Sequence, residues 1–254
     1  MNAQLPDAPA IELFHLAFLR VLQGRLNQDL YVLKGGANLR YFFESVRYSE
    51  DIDLDAHGIE AWKLEETVDG VLESPALKTL LRGGRIAIAE ISKPKQTDTT
   101  QRWKLGLSLP GRDQPLRTKI EFSRRNGDRR RLLEAVPDRV VAPYALRPPT
   151  LFHYTAAPAI EQKIKALALR METQARDVFD LELLFREHRD VVEVGTLDPA
   201  TLKAAIGRCR ELPFEAFEAH VVPFLEPDVA DLYDNPSSWE QTRSFVIDRL
   251  TELV

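Results

Sequence analysis

The pattern of apolar and polar residues differs between the two halves of the chain. In the first half, stretches with helical spacing alternate with short runs that have the length and period of β-strands. We predict helices over residues 10–28, directly after Gly36, and over residues 59–81. We predict strands over residues 30–33, 50–56, 85–92, 102–109 and 116–123, and the polar turns between the last three indicate an antiparallel meander.

A proline-rich segment separates this half from the rest of the chain. Residues 142–149 contain three prolines in eight positions, and such a shift in composition is typical of a boundary between domains. Beyond this segment the apolar residues have helical spacing throughout. The sequence therefore predicts an α+β fold, with a mixed β-sheet and helices in residues 1–141 and a mainly α-helical lobe in residues 150–254.

The composition is that of an ordinary globular protein. Of the 254 residues, 44% are hydrophobic and 29% are charged, and no apolar run approaches the ~20 residues that a membrane helix needs. The N-terminus has no basic region before an apolar core, so we expect no secretory signal. The single cysteine, Cys209, fits the reducing cytoplasm, where we expect the protein to reside. A net charge of −5 argues against a generally basic nucleic-acid binder but allows a local basic patch.

Two adjacent glycines lie between the strand that ends near Lys34 and the helix that follows it. Glycine lets backbone N–H groups approach a ligand without an intervening side chain, and the start of a helix directs its free N–H groups to the same place. Gly35 and Gly36 are therefore a candidate phosphate cradle. The alternative is that these glycines serve only the turn.

Acidic residues occupy alternate positions of the next predicted strand. Asp51, Asp53 and Asp55 point to one side of this strand, with alternate residues ~6.6 Å apart. Carboxylates at this spacing can converge on Mg²⁺, a hard cation that prefers oxygen ligands. Glu121, in a later strand and on the same face as Lys119, is the candidate for a third carboxylate. The alternatives are a solvent-facing acidic strand and a surface Lys/Glu pair.

These features together resemble the nucleotidyltransferase superfamily, and more specifically the AbiEii/AbiGii toxin family. The first motif of that family is Lys-Gly-Gly, a leucine-containing helix, and then Arg-x-Ser-x-Asp-Ile/Leu-Asp. The matching residues here are Lys34, Gly35, Gly36, Leu39, Arg47, Ser49, Asp51 and Asp53. Ala37 and Asn38 depart from the pattern, because a hydroxyl residue often follows the glycines.

A second motif lies in residues 161–184. It is similar to the family's downstream signature, a Lys-Leu-x-Ala-Leu helix, an arginine, and then Arg-Asp-x-x-Asp-Leu. The matching residues are Lys163, Ala166, Leu167, Arg170, Arg176, Asp177, Asp180 and Leu181, while Ile164 replaces a leucine. If residues 160–170 form one helix, Lys163 and Arg170 share a face, although an ordinary solvated helix face is the alternative.

The resemblance implies a nucleotidyltransferase-like fold and an enzyme that transfers NMP from an NTP to an acceptor hydroxyl. It implies that Asp51 and Asp53 bind Mg²⁺ or Mn²⁺, with Glu121 as a third ligand or base. The acceptor implied is RNA, namely the 3′ end of tRNA, and the partner implied is a cognate antitoxin. No membrane partner is implied.

The remaining implied residues bind the nucleotide. By this resemblance Gly35, Gly36 and Ser49 contact the phosphates and Lys163 holds the triphosphate. Asp177 orients that lysine or a substrate hydroxyl, and the helical lobe completes the active-site cleft. Two other functions stay open, namely transfer to a small molecule such as an antibiotic, and a catalytically silent protein that binds a nucleotide or a partner.

A basic segment follows Glu121 in the sequence. The arginines of residues 124–131 surround an Asn-Gly pair, and they are Arg124, Arg125, Arg129, Arg130 and Arg131. We interpret this segment as a solvated turn, and the alternative is a basic hairpin that could grip RNA phosphates. The sequence assigns no function to Asp55 or Asp180.

Overall fold

The chain forms two compact units in a computed structural model, which describes residues 5–124 and 129–254. Unit 1 comprises Met1–Phe42 and Tyr48–Tyr154, and unit 2 comprises Phe43–Arg47 and Thr155–Val254. The proline-rich segment 142–149 lies within unit 1, because it leads into a strand of that unit's sheet. Within the described residues, no helix combines the length and the apolar character needed to cross a membrane.

Unit 1 is built from strands and helices, as its alternating sequence pattern predicts. Its helices in the described residues are α1 (Asp7–Leu22), α2 (Gly35–Phe42), α3 (Ala61–Glu73), α4 (Pro75–Arg82) and α5 (Asp138–Val141). Its strands are β1 (Tyr31–Lys34), β2 (Ile52–Ala56), β3 (Ala87–Gln96), β4 (Thr100–Ser108), β5 (Leu116–Arg124), β6 (Arg131–Ala135) and β7 (Thr150–Tyr154).

These strands form one mixed sheet in the order β3-β4-β5-β2-β1-β7-β6. Strand β2 runs parallel to β5 and β1 runs parallel to β7, while the other neighbours are antiparallel. The predicted meander is present as β3, β4 and β5, which pair antiparallel in sequence order. The α+β prediction is confirmed.

The basic segment of residues 124–131 lies partly outside the described residues, including its Asn-Gly pair. Strand β5 pairs with β4 and with β2, whereas β6 lies at the far edge of the sheet, so β5 and β6 do not pair with each other. Arg124 ends β5 and its guanidinium donates to the backbone oxygen of Ile59, whereas Arg131 begins β6. Arg125 lies outside the described residues.

The alternation of β2 sets which face of the sheet is buried. Ile52 and Leu54 have no exposed surface and belong to a hydrophobic core that also includes Phe14 and Phe18 of α1. Burying one such side chain stabilises the fold by about 1.5–3 kcal/mol. Asp53 points to the opposite face and is partly exposed, so the sequence pattern directs the carboxylates away from the core.

The predicted helix over residues 59–81 is two helices, α3 and α4. Ser74 separates them, because its Oγ accepts a hydrogen bond from the backbone N–H of Leu77 at 3.2 Å. Pro75 follows at the first position of α4, where the missing N–H is not needed. A serine cap followed by proline thus starts a new helix.

Unit 2 is helical, as predicted, but the first residues beyond the prolines, Thr150–Tyr154, were also predicted to be helical and instead form β7 of unit 1. Its helices in the described residues are α6 (Ala156–Leu169), α7 (Ala175–Glu187), α8 (Pro199–Glu211), α9 (Phe214–His220), α10 (Pro227–Tyr233) and α11 (Pro236–Glu252). In its core, the buried rings of Phe217 and Trp239 stack with centroids 4.6 Å apart. The segment Phe43–Arg47 belongs to this unit, where Val46 O accepts a hydrogen bond from Glu226 N at 2.9 Å.

Candidate active site

The glycine turn lies against the acidic strand. Strand β1 ends at Lys34 and α2 begins at Gly35, which has a φ of +68°. A Cβ atom at Gly35 would lie 2.9 Å from Asp53 Oδ2, so glycine is required both for the backbone conformation and for this close approach. Gly36 follows in the first turn of α2. The turn and the carboxylate predicted from separate sequence features are therefore neighbours.

Asp51 and Asp53 share one ammonium group. Lys119 Nζ lies 2.8 Å from Asp51 Oδ2 and 3.7 Å from Asp53 Oδ1. The backbone N–H of Lys119 also donates to Asp51 Oδ1 at 3.0 Å. Burial opposes the charge of this lysine, but Asp53 and Asp51 outweigh that effect and raise the pKa of Lys119 above its usual value. Lys119 is therefore a fixed positive charge between the two carboxylates.

Glu121 lies beside Asp53 but binds an arginine. In the parallel β2–β5 ladder, Asp53 and Glu121 are register partners. Glu121 Oε2 accepts a hydrogen bond from Arg102 Nε at 2.6 Å. Among the residues that the structure describes, no three His, Cys, Asp or Glu side chains are grouped as a ready metal site. The three predicted carboxylates thus share a face, and each has a basic neighbour.

Asp55 belongs to a separate, buried network on the same strand. Its Oδ1 pairs with Lys34 Nζ, and its Oδ2 accepts a hydrogen bond from the Tyr154 hydroxyl at 2.7 Å. Asp55 is only 4% exposed, whereas Asp51 and Asp53 keep partly exposed carboxylates. The third acid of the alternating pattern is therefore satisfied by the protein.

Ser49 contacts the acidic strand through its hydroxyl. Ser49 Oγ donates a hydrogen bond to the backbone oxygen of Asp51 at 2.8 Å. This bond holds the backbone directly before β2, where Asp51 lies. The serine of the first motif thus acts on the geometry of the acidic pair.

In unit 2, Lys163 and Asp177 form a buried ion pair. Lys163 Nζ lies 2.9 Å from Asp177 Oδ1, and Arg170 Nε lies 3.3 Å from Asp177 Oδ2. Helix α6 ends at Leu169, so Arg170 reaches this carboxylate from the cap of the helix. Asp177 Oδ2 accepts no well-oriented hydrogen bond from the described residues although it is fully buried.

Asp180 links this pair to the first motif. It accepts hydrogen bonds from Arg47 Nη2 at 2.9 Å on both carboxylate oxygens, and its Oδ2 lies 2.5 Å from Lys163 Nζ. Burial disfavours the charge of Asp180, but Arg47 and Lys163 outweigh it and lower the pKa of this carboxyl. Arg47 of the first motif and Asp180 of the second are thus direct partners within unit 2.

A family model described as "Nucleotidyl transferase AbiEii toxin, Type IV TA system" matches residues 18–240. The chain belongs to the AbiEii family. The matched range includes the glycine turn, the acidic strand and the buried pair of Lys163 and Asp177, so the family resemblance seen in two short motifs extends over most of the chain. Membership makes this protein a nucleotidyltransferase-family toxin.

Solved structures agree with the AbiEii fold. The crystal structure of JHP933 from Helicobacter pylori has a TM-score of 0.60 and 18% identity, over 98% of this chain and 96% of that chain. The crystal structure of a putative nucleotidyltransferase from H. pylori has a TM-score of 0.60 and 17% identity, over 98% and 99% of the two chains. At these identities the likeness concerns the fold. No curated protein matches the sequence.

Sequence reasoning missed two basic residues of this AbiEii site. Lys119 was expected only to share a face with Glu121, and Arg102 was given no part. The alternation of Arg102 with the buried Trp103 already indicates that Arg102 points away from the core. Its pairing with Glu121 depends on the β4–β5 register, which the sequence does not specify.

Proposed function

We propose that the protein is a metal-dependent nucleotidyltransferase that transfers NMP from an NTP to an acceptor hydroxyl and releases pyrophosphate. The observation that carries this proposal is that Asp51, Asp53 and Glu121 lie on one face of the sheet, with Asp53 beside Gly35. Alternate carboxylates next to a glycine turn are what phosphoryl transfer requires: acidic metal ligands and backbone donors close together.

The donor set fits Mg²⁺ or Mn²⁺. Asp51 and Asp53 offer hard carboxylate oxygens, and Mg²⁺ is usually held by one or two carboxylates together with substrate phosphates. Glu121 would act as a third ligand or base after exchanging its bond to Arg102. When bound, the metal supplies charge neutralisation at the reacting phosphate.

The chain's own residues would bind and orient the nucleotide. Backbone N–H groups of Gly35 and Gly36, at the start of α2, would donate to the phosphates, since a helix N-terminus favours anions. Ser49 would hold the backbone of Asp51 in place through its 2.8 Å hydrogen bond. Positioning and electrostatic stabilisation would supply most of the rate enhancement.

Lys163 and Asp177 would act on the substrate as a pair. The ammonium of Lys163 is held by Asp177 and Asp180, which fixes its position for contact with a triphosphate. Asp177 would orient Lys163 or a substrate hydroxyl, and its 2.9 Å contact with Lys163 Nζ supports the first of these roles.

We propose RNA as the acceptor, with the 3′ end of tRNA as the specific target, and the cytoplasm as the compartment. The support is membership in a family of type IV toxin–antitoxin toxins, which also implies a cognate antitoxin as partner. The runner-up acceptor is a small molecule, which the same acidic site could serve.

The test is transfer of label from each of the four α-labelled NTPs to total tRNA with Mg²⁺. We expect labelled RNA with wild type and none with Asp51→Asn. Asp98→Asn, which changes an exposed aspartate in the turn between β3 and β4, is the matched control and should transfer normally. Removal of Mg²⁺ by chelation should abolish the signal.

The outcomes separate the candidate functions. Transfer by Asp51→Asn at the wild-type rate contradicts the assignment of the acidic pair. If pyrophosphate is released only with a small-molecule acceptor and RNA stays unlabelled, the acceptor is a small molecule and not RNA. NTP binding without pyrophosphate release, with any acceptor, contradicts the enzymatic function.

A further inference from the structure

Lys119 neutralises the acidic pair at close range. Its ammonium contacts Asp51 Oδ2 at 2.8 Å and lies 3.7 Å from Asp53 Oδ1, and its side chain is 25% exposed. Two carboxylates on one strand face repel each other unless a positive charge lies between them. The protein therefore supplies its own cation at the position where the two aspartates can share one.

The carboxylate oxygens of Asp51 and Asp53 cannot bind both the Lys119 ammonium and a divalent cation at full strength at the same time. A metal ion that binds Asp51 and Asp53 must take carboxylate lone pairs that Lys119 now uses, and its charge repels the ammonium. Binding of the metal and pairing of the lysine are therefore linked, and removing one strengthens the other.

The side chain of Lys119 has space to move away from the aspartates. It borders a groove of about 840 Å³ on the face of β3, β4 and β5, together with Lys104 and Arg117. Lys104 is the register partner of Lys119 on β4, it is exposed, and it forms no ion pair within the described residues. The groove is also lined by Glu50 and Glu90, and Glu90 pairs with Arg117, so Lys104 is the groove cation that a displaced Lys119 would lie beside.

We propose that Lys119 is a built-in counter-cation that competes with the divalent metal for Asp51 and Asp53. Metal binding moves its ammonium away from the aspartates into the groove. Lys119 thus holds the acidic pair in register and sets how tightly the metal binds. This inference rests on the proposed function, because it takes the two aspartates as metal ligands.

The test measures metal affinity rather than turnover. Mg²⁺ and Mn²⁺ are titrated calorimetrically into wild type, Lys119→Met and Lys104→Met without nucleotide. Methionine removes the charge and keeps most of the side-chain length. We expect Lys119→Met to bind metal at least about tenfold more tightly, because the competing ammonium is gone. Lys104→Met, the control from the same groove, should stay within about twofold of wild type.

Thermal unfolding gives a second readout that does not depend on turnover. Without metal, Lys119→Met should unfold at a lower temperature than Lys104→Met, since its carboxylates repel each other. Added Mg²⁺ should raise the melting temperature of Lys119→Met more than that of wild type. Lys119→Arg, which restores a positive charge, should return metal affinity to the wild-type range.

Two results overturn the inference. One is a metal affinity in Lys119→Met that equals or falls below that of wild type. The other is a metal-induced stabilisation that is the same in Lys119→Met and Lys104→Met. Both can occur while wild type still transfers label and Asp51→Asn does not, so the inference can fail while the proposed function stands. Transfer by Asp51→Asn instead contradicts the proposed function itself.

Discussion

Gly35 and Asp53 approach each other so closely that a side chain at position 35 would displace the Asp53 carboxylate. A Cβ atom at position 35 would lie 2.9 Å from Asp53 Oδ2 and 3.4 Å from its Cβ. The backbone of Gly35 is also left-handed, with a φ of +68°. One glycine therefore sets both the turn into α2 and the position of a proposed metal ligand.

Gly35→Ala should impair transfer far more than stability. The left-handed backbone costs about 1–2 kcal/mol for a residue with a Cβ, and the methyl group must push the Asp53 carboxylate aside. Displacement of a reacting group by ~1 Å can cost about a hundredfold in rate, which is the loss we expect in the labelling assay. Gly207→Ala in α8 is the control, because its Cβ would meet nothing within 4 Å. Equal activity of both variants would refute the explanation.

The sequence predicts the fold of unit 1 where side chains alternate strictly. The acids and apolar residues of β2 locate that strand and its buried face, because a period of two admits one orientation. Strands β6 and β7 were missed. Leu132 and Leu133 of β6 are both about half exposed, so this edge strand has no alternation to detect. β7 directly follows a proline-rich segment that resembles a domain boundary.

The sequence predicts which residues belong to the candidate site, but not which of their side chains contact each other. The alternation of acidic and apolar residues predicts Asp51 and Asp53, and the resemblance to the AbiEii family implies Lys163 and Asp177. Which acid is exposed and which is neutralised depends on contacts between distant strands. Asp55 follows the same alternation as Asp53, yet it is buried against Tyr154, 99 residues away. Local sequence contains no signal for such a contact.

Asp55→Asn should destabilise the protein without removing a reacting group. Asparagine cannot balance the charge of Lys34, whose side chain is only 15% exposed, and loss of one partner from a buried pair costs about 3 kcal/mol. Urea unfolding should show this loss. Asp51→Asn, with a side chain 22% exposed in the wild type, should change stability by less than about 1 kcal/mol.

Activity then distinguishes the two aspartates. Below its unfolding transition, Asp55→Asn should still transfer label in proportion to its folded fraction, whereas Asp51→Asn should be inactive although folded. Loss of transfer in fully folded Asp55→Asn would instead place Asp55 among the residues that act on the substrate.

Asp180→Asn should destabilise unit 2 by about 3–5 kcal/mol. The substitution removes the buried carboxylate charge that the Arg47 guanidinium, 3% exposed, and the Lys163 ammonium both contact. Glu187→Gln is the control, because it changes an exposed carboxylate on the same helix, α7, and should shift stability by less than about 0.5 kcal/mol. Chemical unfolding of both variants measures the difference, and equal effects would contradict it.

The ion pair of Arg47 and Asp180 predicts that the stability of the protein depends on pH under acidic conditions. The pKa of Asp180 is lower in the folded protein than its ordinary value of 3.8, so the unfolded state binds the proton first as pH falls. The stabilisation is complete above that value and is lost below it. The stability difference between wild type and Asp180→Asn should therefore persist down to about pH 4 and narrow at lower pH.

The buried position of His15 predicts a second pH dependence of stability, at less acidic pH than that of Asp180. It is fully buried in α1, where its Nε2 lies 2.7 Å from Thr118 Oγ1 and its Nδ1 has no partner in the described residues. Burial lowers the pKa of His15 to about 3, with Asp53 opposing this shift and Lys119 adding to it. The folded protein therefore keeps this imidazole neutral at pH values where the unfolded chain protonates it.

His15→Gln should remove this dependence. Between pH 6.5 and pH 4.5 the His15 imidazole becomes protonated in the unfolded wild type but stays neutral in the folded protein. The free energy of unfolding therefore falls by about 1.4 kcal/mol per pH unit, or about 2–3 kcal/mol over this range. Glutamine does not titrate, so the stability advantage of wild type over His15→Gln should shrink by that amount. Unfolding in urea at several pH values measures it, with exposed His220→Gln as control. A constant difference across this range would show that His15 titrates alike in both states.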